Sequence, residues 1–263
     1  MQSGERQPDD RGRDRTAPAV SLGAIWPDIL ARVPAQDHQL AERTLQVPLV
    51  SARDDVLAHV IHTQIPGAFD FLIVEGVVLK ETLLTDRTAL ELLGPGDILA
   101  PLLTVTRQLE SRAVSRYRAH GPVSLAAIDD HFRQAARRWP GLADFLHDCL
   151  GRQTHRASMH LAMLHQPRVE DRVLALFADL AERFGHVTAE GVLIDLQLTH
   201  DVIGGLVASR RPTVTLALHK LASDGQLERL DANRWKLART IISAKPESQL
   251  RPAEAISTGF RGP

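Results

Sequence analysis

The 263-residue sequence holds a single cysteine, Cys149, and few aromatic side chains, which make up 4% of the chain. One cysteine excludes an intrachain disulfide and an iron–sulfur cluster ligated by one chain, since such a cluster takes about four cysteines. It also suits a reducing compartment, so we expect a cytoplasmic protein. No run approaches the ~18 apolar residues of a membrane-spanning helix. The polar start of the chain lacks the apolar segment of a secretory signal, so neither kind of segment is expected.

Net charge of one sign is also missing, because the formal charge is only −1. Any surface for nucleic acid must therefore be a local basic patch. The sequence has no glycine-rich nucleotide loop, no Gly-x-Ser-x-Gly elbow and no paired metal motif. His155, His160 and His165 are spaced by five, which does not place them on one helix face as metal ligands. We predict no enzymatic activity, no cofactor and no metal site.

Short apolar runs, broken by Gly, Pro and Asp, fill residues 44–120 and predict an all-β unit. Leu93-Gly94-Pro95-Gly96-Asp97 is a turn signal, because glycine supplies positive φ and proline fixes a turn corner. Before this unit, residues 21–35 have the spacing of a short amphipathic helix. The polar residues 1–20 and 240–263 are expected to be disordered tails.

From Ser124 the apolar spacing becomes helical, and Pro140-Gly141 interrupts it. Residues 142–166 then predict a long helix with an apolar stripe that includes Cys149. Such a stripe usually pairs with another helix, often that of a second copy. The alternative is a helix that lies on its own domain. Cys149 is either redox-active on a pairing face or, more commonly, a buried structural cysteine.

Residues 199–221 have the pattern of two short helices joined by a tight turn. Thr199 is a candidate N-cap for a first helix over His200–Leu206, and small residues follow at the turn. The second helix begins near Arg211, where Pro212 is tolerated because a first-turn N–H has no helical partner. This is a helix-turn-helix, in which the second helix enters the major groove. A helical hairpin with a solvated basic edge is the alternative.

Two short strands around Asp231-Ala232-Asn233 follow the second helix and predict a wing. Between Thr199 and Arg239 there are seven Lys and Arg against four Asp and Glu, so the segment is locally basic. Hydroxyl, imidazole and guanidinium groups here can bind phosphates and base edges. The predicted DNA-binding residues are Thr199, His200, Ser209, Arg210, Arg211, Thr213, Thr215, His219, Asn233 and Arg234. A wing hairpin that only covers the core is the alternative for the last two.

The layout of residues 40–238 resembles the Crp/Fnr family of bacterial transcription regulators, most specifically at Ser209-Arg210-Arg211-Pro212-Thr213-Val214. The resemblance implies an α+β fold with an N-terminal β-roll of the jelly-roll type, a long dimerisation helix and a C-terminal winged helix-turn-helix. Residues 122–129 would then hold the last strand of the roll. The segments so defined are a tail (1–20), a cyclic-nucleotide-binding-like sensor domain (21–139), a dimerisation helix (140–166), a DNA-binding domain (167–239) and a second tail (240–263).

The resemblance further implies that Arg211 reads a base, while Thr199, His200, Arg210 and Thr213 contact phosphates. Pro212 and Leu216 stand where family members often carry polar base readers. In the sensor domain, Pro101 replaces the glutamate that takes the ribose, and Ala113 replaces the arginine that takes the cyclic phosphate. We therefore expect no tight binding of cyclic AMP or cyclic GMP.

The predicted function is a homodimeric regulator that binds a pseudo-palindromic operator. Its predicted partners are double-stranded DNA, a second copy of the chain joined through residues 140–166, RNA polymerase, and an effector of unknown identity. The alternative to an effector is a regulator that binds no ligand and acts through its own abundance. The alternative function is a sensing module whose winged helix binds a protein in place of DNA.

Overall fold

A computed structural model describes residues 19–53, 57, 68, 70–85, 87–100, 113–232 and 234–243. The chain divides into two compact units, with the boundary between Met159 and His160. The first unit combines two antiparallel sheets with helices, and the second combines helices with a small sheet. This is the predicted α+β class. No helix among the described residues has the length and apolar content to cross a membrane.

In the described part of the first unit, eight strands form two sheets. Five of them form a sheet in the order β1-β2-β8-β3-β6, and the other three form a sheet in the order β5-β4-β7. The described neighbours within both sheets pair antiparallel. The strands are β1 (Ala19–Ser21), β2 (Gln46–Arg53), β3 (Asp70–Glu75), β4 (Val78–Leu84), β5 (Arg87–Leu93), β6 (Ile98–Leu99), β7 (Ala113–Ala119) and β8 (Pro122–Ile128).

Strand β8 shows how the core of this unit is divided. Leu125 and Ala127 belong to a cluster with residues of both sheets, whereas Ala126 and Ile128 face helices. Because successive side chains of a strand point to opposite faces, a strand buried on both sides needs an unbroken apolar run. That run produced the helical spacing from Ser124. The helix prediction is wrong for residues 124–128, and the strand implied by the family resemblance is confirmed.

Short helices precede the roll, and two longer ones follow it. They are α1 (Leu22–Ile25), α2 (Pro27–Leu30), a 3-10 turn (Ala35–Asp37), α3 (His38–Thr44), α4 (Asp130–Arg138) and α5 (Gly141–Leu164). The single helix predicted over residues 21–35 is broken because Pro27 forces Trp26 into an extended conformation. Helix α4 begins where Asp129 accepts a hydrogen bond from the Phe132 amide at 3.0 Å.

The second unit holds α6 (Val169–Phe184), β9 (Gly185–Val187), β10 (Val192–Asp195), α7 (His200–Leu206), α8 (Arg211–Ser223), β11 (Leu227–Arg229), β12 (Arg234–Leu237) and α9 (Arg239–Ser243). Its sheet has the order β11-β12-β10-β9. Trp235 of β12 is buried against Phe177 of α6, with ring centroids 4.9 Å apart. The disorder prediction is wrong for the ends of the tails that adjoin the folded chain, since β1 includes residues 19 and 20 and α9 includes residues 240–243. The remainder of each tail lies outside the described residues.

Candidate nucleic-acid interface

Helices α7 and α8 form the predicted helix-turn-helix, with bounds that match the sequence prediction. The Thr199 hydroxyl accepts a hydrogen bond from the Val202 amide at 3.2 Å and so caps α7. The turn closes where the Ser209 amide donates to the Gly204 carbonyl at 2.9 Å. A Cβ at Gly204 would lie 2.7 Å from the Ser209 oxygen, so this close approach requires glycine. Ala208 carries the turn with a φ of +48°, in the left-handed region.

Arg172 of α6 stabilises this turn through hydrogen bonds, a role that the sequence analysis did not predict. Its guanidinium donates to the Val207 carbonyl at 2.9 Å and lies 3.5 Å from the Ala208 carbonyl. A turn between two helices leaves carbonyls without helical partners, and a charged donor is a strong way to satisfy them. Because Arg172 is 35 residues from Val207, no local pattern could have indicated the contact.

Helix α8 presents one buried face and one open face. Val214, Ala217, Leu218 and Leu221 are buried, as the helical spacing predicts. The same spacing predicts partial burial of Leu216, and this is wrong, since Leu216 is 71% exposed. The open face carries predicted DNA-binding residues that the structure leaves exposed, namely Arg211, Thr213 and His219, with Arg210 directly before the helix. Because the first amides of a helix point outward and carry partial positive charge, these residues surround a natural position for a phosphate.

The two arginines at the start of α8 differ in their surroundings. Arg211 lies 3.7 Å from Asp201, with both side chains about two-thirds exposed, so water screens this ion pair and it stabilises little. For Arg210, no ion pair or side-chain hydrogen bond is found within the described part of the chain. Both guanidinium groups therefore remain available for DNA. Ser209 is half-buried in the turn.

Thr215 and His200 are joined across the two helices. The Thr215 hydroxyl donates to the Arg211 carbonyl at 3.0 Å and lies 2.9 Å from His200 Nδ1. Since the hydroxyl proton is already used, Nδ1 must carry a proton and donate to Thr215. The hydroxyl proton of Thr215 is thus engaged within the protein, and its place among the DNA-binding residues stays a prediction. His200 keeps Nε2 for an outside partner.

The pKa of His200 lies below its usual value, because burial disfavours the imidazolium and the neighbouring side chains of Arg229, Arg211 and His219 add to this effect. Asp201 opposes it to a smaller extent. The neutral ring offers Nε2 as an acceptor. A DNA phosphate is also an acceptor, so contact with Nε2 requires that the ring take up a proton.

This arrangement predicts opposite pH effects on folding and on DNA binding. Below about pH 6.5 the unfolded chain binds more protons at His200 than the folded chain, so folding stability falls as pH falls. DNA affinity should rise over the same range, because bound phosphate raises the pKa of His200. Urea unfolding and fluorescence anisotropy between pH 5 and 8 measure the two slopes. His200→Asn should reduce both slopes, while His186→Asn on exposed β9 should change neither. A wild-type slope in the His200 variant would contradict the assignment.

The wing tip is less basic than its sequence suggests. Arg234 Nε donates to the Asp231 carboxylate at 2.6 Å, and Asp231 raises the pKa of Arg234. Arg229 donates to the Asp231 and Ala232 carbonyls and lies over the Trp235 ring. Arg234 is exposed but paired, so we expect a weaker phosphate contact there than at α8. Asn233 lies outside the described residues.

Helix α5 uses its two apolar stripes differently. Leu142, Phe145 and Cys149 are buried in the chain's own core, against the N-terminal helices. The alternative of a helix lying on its own domain therefore holds for this stripe. Burial raises the pKa of the Cys149 thiol, which fits a structural cysteine. A second stripe is exposed or half-buried. Its residues are spaced alternately by four and three and are Leu150, Thr154, Ala157, Leu161 and Leu164.

The predicted turn at Gly94–Asp97 is tied to α5. Asp97 is fully buried, accepts a hydrogen bond from the Gly94 amide at 2.8 Å, and forms an ion pair with Arg156. The Gln153 side-chain amide pairs with both backbone groups of Ile98, at 3.1 and 3.3 Å. These contacts link the roll to the long helix within the first unit. Neither helix residue stood out in the sequence, because the contacts join residues more than 50 positions apart.

Comparison with known proteins agrees with this geometry. Residues 171–239 match the family model of the Crp-like helix-turn-helix domain. The regulatory protein CysR of Synechococcus elongatus is 29% identical over 171 residues, which cover 64% of this chain and 71% of that protein.

Two solved structures share the fold at low sequence identity. A CooA mutant from Carboxydothermus hydrogenoformans has a TM-score of 0.56 at 16% identity and covers 85% of this chain and 93% of its own. FixK2 from Bradyrhizobium japonicum has a TM-score of 0.56 at 20% identity, over 75% and 96% of the two chains. Residues 171–239 thus form a Crp-like helix-turn-helix domain, and the chain as a whole is similar to Crp/Fnr-type transcription regulators in sequence and fold.

Proposed function

We propose that this regulator binds a pseudo-palindromic operator as a homodimer, with one α8 helix in each of two successive major grooves. The observation that carries the proposal is the exposed start of α8, where Arg210 and Arg211 flank helix amides that favour phosphate. Arg211 reads a base, most simply guanine, because its fork matches the O6 and N7 acceptors. Thr199, His200, Arg210 and Thr213 hold phosphates on either side.

The proposed dimer contact is the second stripe of α5, residues 150–164. Its alternating spacing of four and three is that of a coiled-coil seam, and its three leucines cost free energy while they stay in water. Leu150 is 47% exposed and Leu161 is 62% exposed. Two parallel copies of this stripe would bury Leu150 and Leu161 against each other. A dimer brings two helix-turn-helix units to one operator, whose half-sites we expect about one DNA turn apart.

Selection of bound sequences from a random DNA pool at near-physiological salt tests the operator. An inverted repeat should be enriched. The competing function, a winged helix that binds protein, predicts no enrichment and no steep salt dependence, since only phosphate contacts release counterions. Within the described residues, the exposed Arg210 and Arg211 beside a helix N-terminus favour DNA over a protein partner.

Replacing Arg211 by alanine should weaken binding to the enriched operator by about 10- to 100-fold and relax its sequence preference. Binding to random DNA should fall much less, because base contacts contribute little there. Arg210→Ala is the matched control and should weaken both complexes to a similar degree. Fluorescence anisotropy on the two DNAs measures this. Equal losses on operator and random DNA for Arg211→Ala would rule out base reading.

We further propose that the roll does not bind cyclic AMP tightly and that RNA polymerase is a partner of the DNA-bound, cytoplasmic dimer. The missing glutamate at Pro101 supports the first point, since proline cannot accept a hydrogen bond from a ribose hydroxyl. Residues 101–112 lie outside the described residues, so the sequence alone carries this proposal. Calorimetric titration with cyclic AMP should show no micromolar affinity. The roll then responds to another effector, or the regulator acts without a ligand.

A further inference from the structure

The centre of the open face of α8 is apolar over its first half. Residues 212, 216, 219 and 223 are spaced by four, three and four and lie directly opposite the buried residues 214, 217, 218 and 221, at 100° per residue. The two members nearest the start of the helix are Pro212 and Leu216. Leu216 is 71% exposed, so it has no role in the core of this unit.

A single exposed leucine is ordinary on a protein surface, but Leu216 lies in the middle of the face that is predicted to bind DNA. Arg211 and Thr213 lie to either side of Pro212, and Lys220 follows Leu216 by one turn. A polyanion attracted by Arg211 would lie against Pro212 and Leu216. The Lys220 ammonium is already paired with Glu170, 3.4 Å away. Neither side chain can donate or accept a hydrogen bond, so they cannot read the polar edges of bases.

The nearest polar candidate on this turn of α8 is already engaged. Thr215 donates its hydroxyl proton to the Arg211 carbonyl and accepts from His200, at 3.0 and 2.9 Å. It therefore has no free proton for a base. Leu216 is therefore the side chain that follows Pro212 at the centre of the open face, with His219 one turn further along.

Among the groups that bases present in the major groove, only one is apolar, the C5 methyl of thymine. Cytosine would instead place an amino donor against Leu216, and guanine or adenine would place acceptors there. Each of these would lose water without gaining a partner. An apolar reader thus favours thymine by attraction and disfavours other bases by desolvation.

We propose that Leu216, supported by Pro212, selects a thymine in each half-site by contact with its C5 methyl group. The inference rests on the proposed function, in which α8 enters the major groove. It names a specificity-determining pair of side chains and the base that they select, next to the base read by Arg211.

The test removes only the methyl group. In the operator obtained by selection, each symmetry-related pair of thymines is replaced in turn by deoxyuridine, and affinity is measured by anisotropy for the full chain and for Leu216→Ala. At one thymine pair, replacement should lower the operator affinity of the wild-type protein about fourfold for each half-site and roughly 15-fold for both. This is the affinity expected from the burial of one methyl-sized carbon group in each half-site. The Leu216→Ala protein should bind both DNAs nearly equally.

Val187→Ala is the matched control, since Val187 is 77% exposed on β9 and distant in sequence from α8. It should keep the full dependence on the methyl group. An operator with no deoxyuridine-sensitive pair, or an unchanged sensitivity in Leu216→Ala, would overturn the inference and leave the regulator's DNA binding intact. A pool with no enriched sequence would instead overturn the proposed operator binding itself.

Discussion

A chain in which Leu150 and Leu161 are both replaced by glutamate is expected to be monomeric and to bind the two-half-site operator about 100-fold or more weakly. Both leucines belong to the open stripe of α5 and are 47% and 62% exposed in the single chain. A carboxylate at either position would lose water in a helix–helix seam without a partner. Loss of the dimer converts one bivalent binding event into two independent ones.

Sedimentation equilibrium and anisotropy measure this effect. Because the two leucines are not part of the chain's own core, the unfolding transition of the monomer should stay cooperative, and affinity for a single half-site should not change. The matched control replaces both Leu40 and Leu84 by glutamate. These two leucines are 42% and 54% exposed elsewhere in the first unit. That control should remain dimeric. A dimeric Leu150 and Leu161 variant would place the interface away from α5.

Gly204→Val is expected to lower the free energy of unfolding by about 3 kcal/mol and to abolish specific DNA binding. A Cβ there would stand 2.7 Å from the Ser209 backbone oxygen, a contact that only movement of the turn can relieve. The Ser209 amide, which donates to the Gly204 carbonyl at 2.9 Å, would move with it. Since Arg210 and Arg211 follow at once, the start of α8 would shift relative to α7.

The opposite substitution in the same turn is the control. Ala208 has a φ of +48°, which costs an alanine about 1 kcal/mol that a glycine does not incur. Ala208→Gly should therefore stabilise the protein by up to about 1 kcal/mol and preserve operator affinity. Chemical unfolding and anisotropy of the two variants give the comparison. A Gly204→Val protein as stable as the wild type would show that the turn can open at little cost.

Much of the DNA-binding unit could be predicted from local sequence signals. Thr199, Pro212 and the glycines set the bounds of α7 and α8 because capping, first-turn proline and close approach act within a few residues of the chain. The exposed arginines followed from the same helical spacing that identified the buried face. For this reason the bounds at His200, Leu206 and Arg211 agree with the structure.

Other features depended on partners far away in the chain. Residues 124–128 have helical spacing, but two layers cover both faces of β8, and pairing with β2 and β3 makes them a strand. The sequence of α5 does not show which of its apolar residues are buried and which are exposed, because this depends on the packing of the N-terminal helices against Cys149. The hydrogen bond between His200 and Thr215, and the one from Arg172 to the Val207 carbonyl, could likewise be found only in the folded structure. Local propensity acts over one helical turn, whereas burial and hydrogen-bond pairing are decided by whatever the fold brings into contact.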